Sequence, residues 1–126
     1  MDARRRIELQ TLLDDDRGVK GSPGCTVCRL EKLEPTGDIR LVVQLEPEAE
    51  VTEHPRLLVT TLEKEIVDEV DLSELGDFTW EPGTDFTLPV PWRDGWPEGG
   101  LASTRFHLLF ATQHGEEDVY GPLEYV

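Results

Sequence analysis

VCRLEKLEPTGDIRLVVQL, residues 27–45, reads as two strands joined by a tight turn. In its second half Ile39, Leu41, Val43 and Leu45 recur at every second position, with Arg40 and Gln44 between them. A period of two puts alternate side chains on opposite faces of an extended chain. This run therefore predicts a strand with one apolar and one polar face. The intervening EPTGD, residues 34–38, supplies the proline and glycine that a reversal needs.

Similar runs follow at short intervals. PRLLVTTLE (55–63) is rich in valine, threonine and leucine. EIVDEVDL (65–72) alternates Ile66, Val70 and Leu72 with acids, although Ile66 and Val70 also fit a helical spacing. DFTW (77–80) and DFTLPV (85–90) flank the turn EPGT. STRFHLLFAT (103–112) sets Phe106, Leu108 and Phe110 on one face, and VYGPLEYV (119–126) carries Pro122, the mark of an edge strand. About seven short strands with turns at roughly ten-residue intervals predict an all-β fold, an immunoglobulin-like antiparallel β-sandwich. The likeness is architectural, because the Cys…Trp…Cys spacing of antibody domains is absent. FTLPVPW (86–92) followed by a long strand resembles arrestin-like sandwiches over a handful of residues, and brings no functional motif with it.

A short helix precedes the sandwich. In DARRRIELQTLL (2–13) Asp2 caps the first turn, and Leu9, Leu12 and Leu13 share one face. Arg4, Arg5 and Arg6 sit at the positive end of the helix dipole, and Asp14, Asp15 and Asp16 at the negative end, so the charges oppose it. A helix of this length and charge order needs its leucines covered. The same order lets the arginines of one chain meet the aspartates of the next. One expectation is thus a head-to-tail contact in a homo-oligomer, with Leu9, Leu12 and Leu13 buried on the neighbour; the competing reading has the leucines cover the chain's own sandwich. RGVKGSPG (17–24) reads as a linker, which divides the chain into a helical segment (1–16), the linker and a β-sandwich domain (25–126).

Charge narrows the partners. Twenty-seven Asp and Glu face twelve Lys and Arg, a formal net charge of -15. That field repels phosphate backbones and anionic lipid surfaces, which excludes nucleic acid and membranes as expected partners. An acidic chain whose lysines are only Lys20, Lys32 and Lys64 suits a salty, halophilic cytoplasm, where ions screen self-repulsion; the alternative is a mesophilic protein that is simply acidic. MDARRRIELQ has positive charge but no apolar segment behind it, so no secretory signal is read. No apolar run approaches the roughly 18 residues of a membrane helix. The expected location is the cytoplasm, or a particle assembled there.

Two motifs invite chemistry. Cys25-x-x-Cys28 supplies two thiols, whereas a structural zinc needs four ligands, and His54, His107 and His114 stand in no zinc-binding spacing. A redox reading wants the pair between a strand and a helix, but RLEKLEP after it alternates like a strand. The expectation is ordinary thiols and no cofactor, with zinc on Cys25 and Cys28 as the alternative. PVPWRDGWPEGG (89–100) packs three prolines, two tryptophans and three glycines between strands. Tryptophan is enriched at binding hot spots, so Trp92 and Trp96 are partner-binding candidates; the competing reading has them fold back to plug one end of the sandwich.

No local pattern suggests a catalytic triad or a phosphate loop. These features together predict a non-enzymatic structural or interaction protein, a small acidic β-sandwich subunit of a larger assembly such as a virion or tail-like particle of a halophilic host. The alternatives are a cytoplasmic arrestin-like adaptor or scaffold, and a zinc-stabilised domain or small metal-dependent enzyme using Cys25 and Cys28.

Overall fold

The strands expected over 27–45 pair as a hairpin in the computed structural model, which describes residues 2–14, 24–33, 35–36, 38–111 and 115–125. Strand β1 (Cys25–Leu33) runs antiparallel to β2 (Asp38–Leu45). Ile39, Leu41, Val43 and Leu45 are buried, while Asp38 and Gln44 are exposed. The alternation read from the sequence is the alternation of burial.

Five of the other six strands follow the apolar runs: β3 (Arg56–Thr61), β4 (Ile66–Asp71), β5 (Asp85–Pro89), β6 (Thr104–Ala111) and β7 (Glu117–Tyr120). The last, β8 (Glu124–Tyr125), is two residues long. They form two four-stranded sheets, ordered β5-β2-β1-β8 and β4-β3-β6-β7. Pairing is antiparallel except between β1 and β8. Leu30, Leu41, Val43 and Leu88 of the first sheet join Leu57, Val59, Phe106 and Leu108 of the second in one buried cluster. Burying a side chain of this kind stabilises the fold by about 2 kcal/mol.

β3 departs from simple alternation, because Leu57, Leu58, Val59 and Thr60 are all buried. A strand apolar on both faces implies cover on both. The helix α1 (Ala3–Asp14) provides the second cover: Leu9 and Leu13 form a separate buried cluster with Leu58, Ile66, Leu109 and Val119, and Leu12 packs against it. The cap is as expected, with the Arg4 backbone N–H donating to the Asp2 carboxylate at 2.7 Å.

This arrangement replaces the contact in trans expected for the helix. Leu9 and Leu13 keep only 1% exposure each, on the chain's own sheet. The helix is still too weak to stand alone, but the apolar outer face of β3 and β6 lies within its reach. Arg5 likewise binds its own chain, donating to Glu117 at 2.8 and 2.9 Å and to Glu69 at 3.0 Å. Arg56 donates to the same Glu117 at 2.6 Å, so two arginines and two glutamates tie α1 to β3, β4 and β7. Arg4 and Arg6 are exposed. Asp15 and Asp16, and most of the linker, lie outside the described residues.

Two other expectations change. Residues 77–80 form no strand: the Thr79 carbonyl accepts from the Thr84 hydroxyl, and the Trp80 indole N–H anchors the segment by donating to the Glu50 carbonyl. The closing segment is two strands rather than one. β7 ends at Tyr120, Gly121 and Pro122 carry the chain across, and β8 joins the other sheet. The ambiguous 65–72 run is a strand over Ile66–Asp71. Among the described residues no helix is long and apolar enough to cross a membrane.

Candidate docking surface at the Trp92 end

One end of the molecule gathers four segments. Thr61, the last residue of β3, pairs with Thr104, the first of β6, so the β3–β4 turn and the short 3-10 turn Gly100–Ser103 lie side by side. The β1–β2 hairpin end joins them, since Lys32 and Asp38 line a cleft together with Gly99–Ala102. So does β8, whose Tyr125 hydroxyl donates to the Thr104 carbonyl.

The tryptophan loop is built into this end. Trp96 is buried, its indole N–H donating to Asp68 at 2.8 Å. Arg93 bridges Glu74 at 2.5 Å and lies 3.8 Å from Asp68, which fastens the loop to β4 and the turn after it. Trp92 stacks edge-on against Trp96 (5.1 Å, 77°) and Phe106 (6.3 Å, 76°), yet keeps 41% exposure. Edge-to-face stacking at these distances is the favoured aromatic geometry. The ring is therefore held in one orientation and presented to solvent. Trp96 plugs the end, as the competing reading had it, and Trp92 does not.

Two clefts flank the Val90–Pro91 segment. One, of about 520 Å³, is lined by Leu33, Ile39, Leu75, Pro89, Val90 and Pro91 with Asp38, Arg40 and Glu74 at its polar side. The other, of about 440 Å³, is lined by Ile39, Val90, Pro91, Trp92 and Leu101 with Lys32 and Asp38. Leu62, in the β3–β4 turn, is 48% exposed, and Tyr125 36%. Of the five exposed large apolar residues among those described, Leu62, Trp92 and Tyr125 thus share this end, while Ile7 and Val51 lie elsewhere. Nothing in the local sequence marks Leu62 or Tyr125; strand register and the Tyr125 hydroxyl bond bring them to the end that Trp92 occupies.

The cysteines sit apart from this end. Neither forms a disulfide, and both are half-buried and packed against the core. Register shifts between Cys25 and Val27, so Thr26 is a bulge. The Cys28 thiol is hydrogen-bonded to Cys25, and that contact together with burial pushes its pKa far up. Tyr120 is raised too, first by burial and then by Cys28 and Cys25.

The histidines do not converge on the cysteines. His107 is on β6, buried, with Nδ1 lacking a hydrogen-bond partner among the described residues, and burial lowers its pKa to about 4. His54 is exposed in a turn. His114 lies outside the described residues. Among the described residues no group of three or more His, Cys, Asp or Glu is placed to hold a metal. No family model, curated protein or solved structure matches the chain.

Proposed function

We propose that the chain is a non-enzymatic interaction protein, an immunoglobulin-like β-sandwich subunit that assembles with further copies of itself through the Trp92 end. The observation that carries this is the exposure of Leu62, Trp92 and Tyr125 at one end of the molecule, together with a largely apolar cleft along Val90–Pro91 and a second, mixed cleft that Trp92 lines. Exposed apolar side chains gathered at one end of an otherwise charged protein are the signature of a contact site. A tryptophan fixed by its neighbours loses little side-chain entropy on binding, which is what a hot spot requires.

The charge of -15 bears on when copies meet. Like-charged subunits repel at long range, and the repulsion falls with the Debye length, from about 10 Å at 0.1 M salt to about 3 Å at 1 M. Association is expected to strengthen with salt, as suits the high-salt setting read from the composition. A particle subunit of a halophilic host, the form of assembly that the sequence favoured, fits this behaviour.

Sedimentation velocity in dilute and molar potassium chloride tests the proposal. The wild type is expected to form oligomers whose mass rises with protein and salt concentration, and Trp92→Ala or Leu62→Asn to shift the chain toward monomer. Leu62→Asn touches only an exposed turn, so its fold is expected to be unchanged by circular dichroism. A monomer at every salt concentration, or oligomers indifferent to both substitutions, contradicts the proposal.

A further inference from the structure

The Thr26 bulge does something to the CxxC motif that its spacing does not reveal. In a regular strand residues three apart point to opposite faces. Here Cys25 pairs with Leu45 and Cys28 with Val43, which are two apart on the buried face of β2. The extra residue puts both thiols on one face, against the core. They are hydrogen-bonded to one another, and Tyr120 of the opposite sheet shares their surroundings. Both cysteines keep partial exposure, and the pairing of β8 with β1 is at Arg29 and Leu30.

Spacing decides what such a pair suits. Two positions along a strand are about 6.8 Å apart, and side chains standing on one face keep their Cβ atoms near that separation. A disulfide wants Cβ atoms about 3.8 Å apart, so closing one would buckle β1. A metal held linearly between two thiolates spans about 4.6 Å of sulfur–sulfur distance, twice a bond of about 2.3 Å, which side-chain rotation reaches. Zinc wants four ligands; this site offers two sulfurs in apolar surroundings, the donor set of a soft ion.

We propose that Cys25 and Cys28 form a two-coordinate bis-thiolate site for a soft d10 monovalent cation of the Cu(I) class. Binding forms two copper–sulfur bonds, breaks two S–H bonds and releases both protons to solvent, with no change of oxidation state. The site is independent of the docking end.

Anaerobic titration of the reduced full chain with Cu(I), in competition with bicinchoninate, tests this. The expected result is one equivalent taken from the chelator per chain, loss of both thiols to Ellman's reagent, and an ultraviolet thiolate-to-copper band. Cys25→Ser and Cys28→Ser are each expected to weaken binding at least 100-fold with the circular dichroism spectrum intact. Should a variant unfold, the stoichiometry and thiol count of the wild type decide. Copper left on the chelator, or binding indifferent to either substitution, overturns the proposal. So does thiol loss to an intramolecular disulfide under glutathione disulfide while copper stays with the chelator.

Discussion

Gly24 shows how a single residue sets the start of the first sheet. Its φ of 81° is left-handed, and a Cβ there would lie 2.6 Å from both Cα and Cβ of Ala49. Its carbonyl accepts from the Glu46 N–H at 2.7 Å, so the chain enters β1 in a fixed direction. Gly24→Ala is expected to cost about 2–4 kcal/mol, read as a lower melting temperature, since strain and overlap add at one site. His107 gives a pH prediction. Its folded pKa of about 4 lies below the ordinary value of 6.5, chiefly through burial, with Lys64 adding to the effect. The neutral form is favoured by folding, so this stability is present above pH 6.5 and is lost as pH falls toward 4. Between pH 7 and 5 the loss is about 2 kcal/mol, and His107→Gln is expected to flatten the denaturant-midpoint profile across that window. A profile as steep in the variant as in the wild type would refute this origin. At this scale the sequence drew attention to Trp92 and Trp96 through the composition of their loop, and its cysteines read as ordinary thiols. It hid the bulge at Thr26, because a bulge is defined by the partner strand.

At the scale of elements, the helix is where pattern reading met its limit. Asp2, Leu9 and Leu13 were legible as cap and apolar face, and both readings hold. What the leucines cover was not legible, since it depends on whether a neighbouring sheet face is also apolar. The clue was present in LLVT (57–60), where the alternation fails. Truncating Leu13 or Leu9 to alanine is expected to destabilise the protein by about 2–4 kcal/mol, as for buried leucines generally. Removing residues 2–14 is expected to expose Leu58, Ile66, Leu109 and Val119 and to cause aggregation, seen by light scattering. A soluble, folded truncated chain would contradict the cover in cis. The charged clamp adds to the packing. Arg5 first, and Arg56 with it, hold the Glu117 carboxyl below the usual carboxylate range against the opposing effect of burial. A depressed carboxylate stabilises the fold above its ordinary pKa and loses that contribution as pH falls. A double-mutant cycle on Arg5 and Glu117 is expected to give a coupling of about 1 kcal/mol at neutral pH that fades in acid.

For the whole molecule, net charge bears on the proposed docking end. Arg5, Arg29, Arg40, Arg56 and Arg93 are all ion-paired, and the net charge of -15 still stands as unbalanced acid over the surface. Self-repulsion of this kind is screened by ions, so the melting temperature is expected to rise from low to molar potassium chloride; a flat or falling trend would remove the high-salt reading. Two layers of short strands were legible in the alternating runs. Which strands share a sheet was not, because order and crossover depend on contacts far apart in sequence, as β8 crossing to β1 shows. Of the end proposed for docking, only the tryptophan loop was legible, since Leu62 and Tyr125 reach it through register and the Tyr125 hydroxyl bond. Amide hydrogen exchange on the full chain in molar potassium chloride, compared between dilute and concentrated protein, tests that end most directly. The account predicts protection gained on concentration in residues 61–65, 90–103 and 124–125. Protection unchanged there, or gained instead on the exposed face of α1, would contradict it.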